Sequence, residues 1–163
     1  MDPTHLAAIR LLRDAGAVAL TWEFEGRNGA GVAVDLGALV EDDLPEALTP
    51  GSSALGSHFD SAEECVNASY SLQHLPGGPA VPSPEVVAAL CCWLLSTYWP
   101  IDPYGMDWRT GHGSSGSAVL DLRTGALIVD GVRCVPTFHQ NYRAAAVPLG
   151  PTTLTDTITG LLT

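Results

Sequence analysis

The sequence predicts an α+β fold in which an antiparallel sheet, built from two hairpins, packs against two or three helices. Three observations lead there. Apolar and polar residues alternate on both sides of Gly-rich segments near each end of the chain. A helical pattern with capping signals precedes each alternating stretch. With 46% hydrophobic residues in 163 positions, the chain can bury a core without disulfides or metal. Residues 1–163 therefore read as one domain, with a Pro/Gly-rich break near 76–83.

The elements follow in order. Thr4 is the expected cap of a first helix reaching about Ala15, with Leu6, Ile9 and Leu12 on one face and Gly16 as its stop. From Ala17 the period becomes two: Val18, Leu20, Trp22 and Phe24 point one way, and Ala19, Thr21, Glu23 and Glu25 the other. Gly26-Arg27-Asn28-Gly29 supplies a tight reversal, and Val32, Val34 and Leu36 resume the alternation on a return strand. An acidic loop and a Gly/Ser-rich connection from Pro50 to Gly56 lead to a short helix capped by Asp60 or Ser61 and running to about Leu72. Ser83-Pro84-Glu85 starts a helix extending to about Tyr98, apolar nearly all round and so expected between covering layers. Pro100 and Pro103 end it. After a loop, Ala118, Leu120 and Leu122 alternate with Val119 and Asp121, Thr124-Gly125 turns the chain, and Ala126–Val132 returns. Arg133–Phe138 is the expected third strand of this meander, and 152–162 a terminal helix.

Trp22, Asp35 and Leu36 align with Trp108, Asp121 and Leu122 at a fixed offset, which suggests two helix-hairpin units sharing one sheet with its helices on one face. These segments, Leu6–Asp35 and Met106–Arg133, resemble a bacterial family of small proteins of unknown function. Its members have a helix, a strand and a Gly/Asp/Ser-rich turn, then a Gly-Trp-Glu, Asn-Asp-Gly hairpin and a strand ending near an arginine. The family implies no known activity. Here Ser114-Ser115 stands in place of the Asn-Asp pair.

Charge limits the function classes. Eighteen acidic residues face seven basic ones, for a net charge of −11, and every basic residue is an arginine. Lysine chemistry is excluded. Nucleic acid and anionic membranes are disfavoured as partners, because such binding rests on neutralising phosphates. Four cysteines without an export signal read as free thiols in a cytoplasmic protein, and no apolar run approaches membrane-spanning length.

Gly113-Ser114-Ser115-Gly116-Ser117 is similar to the nucleophile loop of trypsin-like proteases, which would make Ser115 the nucleophile with His112 as its candidate base. The competing reading is a glycine-rich hairpin entry, and it is favoured because His58 lacks the Ala-Ala-His-Cys setting of those proteases and a helix stands where their barrel would be. Cys91 and Cys92 are adjacent and cannot supply zinc-ligand spacing, while Cys65, His58, Asp60, Glu63, Glu64, Cys134 and His139 could converge only through folding. No cofactor is expected. Trp93 and Trp108 read as core residues. Trp99 and Tyr104, flanked by prolines, are candidate interface anchors. Glu41, Asp42, Asp43, Glu46, Glu63 and Glu64 lie in a stretch without a basic residue, either a solubilising surface or a docking face for a basic protein. The reading is a non-enzymatic, acidic partner-binding protein of the accessory, immunity or inhibitor type. The alternatives are a small hydrolase using Ser115 and His112, or a structural subunit of a homo-oligomer.

Overall fold

A computed structural model describes residues 1–40, 57–75, 81–98, 107–111, 113–123, 125, 127–135 and 138–142. The expected terminal helix at 152–162 lies outside them. The order of elements is α1 (Pro3–Asp14), β1 (Ala17–Arg27), β2 (Ala30–Val40), α2 (Ser57–Ala68), β3 (Tyr70–Ser71), a short 3-10 turn (Leu72–His74), α3 (Pro84–Tyr98), β4 (Ser114–Asp121), β5 (Leu127–Val135) and β6 (Phe138–Tyr142). The described strands form one antiparallel sheet in the order β3-β2-β1-β4-β5-β6. The predicted α+β class and both hairpins are present, joined through the central β1–β4 pair.

Local chemistry explains the boundaries. Asp2, not Thr4, caps α1: its Oδ1 accepts the Thr4 amide at 2.7 Å, and Pro3 follows at a position needing no donor. That bond to the Thr4 amide, foremost, holds the Asp2 carboxyl below its usual range. Gly16, at φ 88°, stops the helix. Ser83 caps α3 as expected, its Oγ accepting the Val86 amide at 3.3 Å. Asn28 and Gly29, at φ 52° and 82°, turn β1 into β2. The middle helix starts earlier than expected, at Ser57, and ends at Ala68, so Glu63 falls in its second turn.

The main core lies between one face of the sheet and α1 with α3, around Ile9, Leu12, Leu20, Trp22, Phe24, Leu90, Leu94 and Leu120. A smaller one lies on the opposite face, where Ala62 and Cys65 of α2 pack on Ala19, Leu39 and Val119. The helices thus cover both faces, not the single face expected from two repeated units. The reason is parity: Ala19 and Val119 leave small and branched apolar groups on the second face, enough to bury one more helix. A register irregularity between Ala17 and Ala19 also moves Val18 to that face.

Three further expectations change. Trp22 lies within β1 whereas Trp108 lies in the turn before β4, so the fixed-offset alignment pairs a strand with a turn. Ser114–Ser117 belongs to β4 itself; the turn ahead of it lies at Asp107–Gly111. The third strand of the meander is Phe138–Tyr142, because β5 continues to Val135.

The turn before β4 is a self-contained unit. Asp107 accepts the Arg109 amide at 2.9 Å and grips the Arg109 guanidinium through Nε and Nη2 at 3.1 and 2.7 Å. The same device recurs after β4, where Asp121 accepts the Arg123 amide at 2.8 Å and its guanidinium at 3.1 and 3.0 Å. Asp107-Trp108-Arg109-Thr110-Gly111 and Asp121-Leu122-Arg123-Thr124-Gly125 are one short motif used twice, with Gly111 and Gly125 at φ 72° and 74°.

The first of these turns seats Trp108 against the β1–β2 hairpin. Its indole is fully buried, donates to Ser96 Oγ at 3.3 Å and meets Phe24 edge-on. The Arg109 carbonyl accepts the Gly29 amide at 2.8 Å, and Ser114 Oγ donates to the Trp108 carbonyl. Gly26 and Gly31 are register partners beneath the ring, where a Cβ on Gly26 would lie 2.7 Å from Trp108 Cε3 and one on Gly31 2.5 Å from Cζ3. Gly31→Ala should therefore lower stability by about 1–3 kcal/mol, the usual cost of overpacking. The same change made in a Trp108→Phe background, which removes the distal ring atoms, should cost less. Urea unfolding of the single and double variants measures this coupling; strictly additive effects would contradict the packing described.

Candidate functional site

Among the described residues, α2 covers only part of the sheet face on which it packs. Beyond the buried Ala62 and Cys65, register places Val34, Glu23, Ser117 and Asp130 in one row and Val32, Glu25, Ser115 and Val132 in the next. Val32 and Val34 are 53% and 44% exposed, and Glu25 and Ser115 are exposed as well.

The valines face outward because the other side of β2 has no room for them. There Gly31 lies under the Trp108 ring, and Ala33 lies beside α3, its backbone hydrogen-bonding Cys92. Small residues are needed inward, and period two then sends Val32 and Val34 outward. At Asp35, φ is 47° and the register against β1 shifts between Thr21 and Glu23, which returns Leu36 to the core side. The expected return strand exists, but its alternation serves the open face until this bulge.

Negative charge gathers around the valines. Burial, first, then the Asp35 carboxylate by charge and hydrogen bond, and then Glu63 of α2 together push the Glu23 carboxyl above its ordinary range. Arg27 stands exposed at the hairpin tip. Arg109 and Arg123 are committed to Asp107 and Asp121, so their charges are locally compensated. The patch sets Glu23 and Glu25 beside Val34 and Val32, with Asp35 and Glu63 close to Glu23.

Each residue singled out from the sequence has a definite standing. Ser115 is exposed on this face, but β4 is an interior strand, so the Ser115 backbone is engaged in ladders with β1 and β5. The described imidazole rings are occupied elsewhere: His5 packs on Trp93, and His74 Nδ1 lies 2.7 Å from Ser71 Oγ. His112, Trp99, Tyr104, Glu41, Asp42, Asp43 and Glu46 lie outside the described residues. Glu63 is exposed beside Glu23, and Glu64 lies within α2. Among the described residues no three His, Cys, Asp or Glu side chains are grouped to hold a metal. Cys65 faces the sheet, and Cys134 and His139 are register partners on β5 and β6. Cys91 is buried and its thiol is pushed well up by that burial. Trp108 is a core residue as expected, whereas Trp93 is only partly buried at the margin of the core, tilted against His5 and edge-on with Tyr98. Among the described residues no helix is long and apolar enough to cross a membrane.

Sequence reasoning passed over Glu23, Glu25, Asp35, Val32 and Val34 as a surface. The available signal was Gly31 and Ala33 alternating with the valines, since small residues at alternate positions mark the side that something approaches closely.

No protein-family model matches the chain, and no curated protein or solved structure is significantly similar to it.

The raised carboxyl at Glu23 has a definite pH signature. A carboxyl whose folded pKa exceeds its unfolded one binds more protons when folded, so its unfavourable contribution is absent below the unfolded value and complete above the folded one. Glu23→Gln should stabilise the protein at neutral pH by about 0.2–1 kcal/mol, the size of a cross-strand like-charge effect. The gain should vanish in acid. Thermal unfolding across this pH range tests it, and a gain that persists below the carboxyl range would point to a cause other than ionisation.

Proposed function

We propose that the protein is a non-enzymatic, acidic docking protein whose partner is a basic protein. The observation that carries this reading is the part of the sheet face that the described residues leave uncovered, where the exposed Val32 and Val34 pair with Glu25 and Glu23, and Asp35 and Glu63 lie near Glu23. An apolar centre with a charged rim is how protein interfaces divide their work: burial of the centre supplies affinity, while the rim steers encounter and fixes orientation. A net charge of −11 carried without a single lysine extends the same field over the whole molecule. The Ser115 hydroxyl fits this face as a polar contact, its backbone being held in the ladders on both sides.

Binding of a labelled arginine-rich peptide, followed by fluorescence anisotropy at about 0.05 M and about 0.5 M salt, tests the reading because exposed charges are screened over this range. The expected result is saturable binding that weakens as salt rises, and weakens further in the Glu23→Gln/Glu25→Gln double variant. Binding that ignores both salt and these substitutions would refute the electrostatic reading. Ser115→Ala should leave affinity within about 0.5 kcal/mol of the parent, the range for a surface substitution.

A further inference from the structure

The exposed strip beside α2 has the width of one helix. Beneath α2 lie Leu39, Ala19, Val119 and Ile128, on the adjacent strands β2, β1, β4 and β5, so α2 crosses the strands toward the end of the sheet away from the Asn28–Gly29 turn. Along β1, Thr21 is fully buried and Glu23 partly so, whereas Glu25, Val32, Val34 and Ser115, nearer the hairpin tip, are exposed. Residues on one face of a strand repeat about every 7 Å, so the rows of Glu23 and Glu25 are centred about 14 Å from those of Ala19 and Thr21. Packed helices need about 8–10 Å between their axes, and a second helix therefore fits next to α2. From this geometry we propose that the strip seats a basic amphipathic helix of the partner protein, a proposal that rests on the docking function argued above.

Three features select this occupant. First, the face of a sheet offers side chains and no backbone partners, so whatever lies on it must satisfy its own amides and carbonyls. A helix does so within itself, and helices on a sheet face are the ordinary way such layers are completed. Second, the side chains suit a helix that is apolar along one stripe and basic beside it. Val32 and Val34 supply the apolar ground for the stripe; Glu25 stands toward the hairpin tip, and Glu23 with Asp35 and Glu63 toward α2. Arginines flanking the stripe would meet carboxylates on both sides of it. Third, charge opposes a second copy as the occupant, because two of these faces laid together would set like carboxylates against each other in a chain of net charge −11.

The test uses the full chain and two synthetic peptides of about 14 residues, about 21 Å long as a helix, made from the same numbers of leucine, alanine and arginine. In one, the leucines recur at helical spacing and form a stripe; in the other, the same residues are shuffled so that no stripe forms. By fluorescence anisotropy at low salt the striped peptide should bind roughly tenfold or more tightly than the shuffled one, and far-UV circular dichroism should show it gaining helix in the complex. Val32→Ser/Val34→Ser should cut the affinity of the striped peptide roughly tenfold and leave that of the shuffled one unchanged. Val32→Thr/Val34→Thr, which keeps the branched shape that strands favour, serves if the serine variant fails to fold. Equal affinity of the two peptides, or binding without gain of helix, overturns helix docking while leaving electrostatic docking in place. Striped-peptide binding that ignores the valine substitutions removes the helix from this strip and overturns the proposal as well. Failure of both peptides to bind at low salt overturns both readings. A mass in solution that rises with the concentration of the free protein, and no longer does so in the valine variants, would assign the strip to a second copy of this chain and overturn the proposal.

Discussion

The indole of Trp108 resting on Gly26 and Gly31 is the contact on which the arrangement of the sheet depends. It joins the turn that follows α3 to the hairpin that follows α1, two parts of the chain far apart in sequence. Burying an aromatic ring of this size is worth several CH2 equivalents at about 0.8 kcal/mol each. That burial requires two bare backbones beneath the ring. With the turn fixed there, Ser114 begins β4 next to Gly26, and the β1–β4 register that unites the two hairpins follows. The Asp107–Arg109 clamp holds the turn in shape, and the Gly29 amide ties it to the hairpin tip.

That contact also decides which face of β2 becomes a surface. A strand has two sides, and an element pressed close to one of them restricts that side to small residues. The branched residues then appear on the other side, where among the described residues α2 reaches only part of the sheet. The exposed valines are thus a consequence of core packing, and they leave an apolar patch with carboxylates as neighbours.

Much of the architecture was legible because local signals agreed with the tertiary ones. Ser83-Pro84 started α3, Asn28-Gly29 turned the first hairpin, and the alternation of Leu20, Trp22 and Phe24 against Thr21, Glu23 and Glu25 described β1 correctly. Legibility failed where a distant contact chose between two local readings. The orientation of Val32 and Val34 depends on Trp108, which lies far along the chain. The Gly/Ser-rich segment at 113–117 reads as a turn by composition, yet two neighbouring strands hold its Ser114–Ser117 portion extended. The fixed-offset match of Trp22 with Trp108 is not structural, whereas the shorter repeat Asp-x-Arg-Thr-Gly is, since both copies share the Asp–Arg clamp and a positive-φ glycine. Of the candidate site, the negative charge was legible from composition, but its location was not, because Glu23, Asp35 and Glu63 come together only through the β-bulge and the seating of α2.

The carboxylates around β2 answer two demands that usually conflict. An exposed apolar patch is an aggregation hazard that charged neighbours blunt, and here Glu23 and Glu25 stand beside Val34 and Val32. A neutral device would act on every surface alike. Charge of one sign discriminates: it opposes a second copy of this acidic chain, and under the docking function proposed above the same residues would select a basic partner. Burial first, and then the nearness of Asp35 and Glu63, disfavour the charged form of Glu23 in the free protein. Under the proposed docking function, a cationic side chain placed among these carboxylates would offset that repulsion and so add to binding.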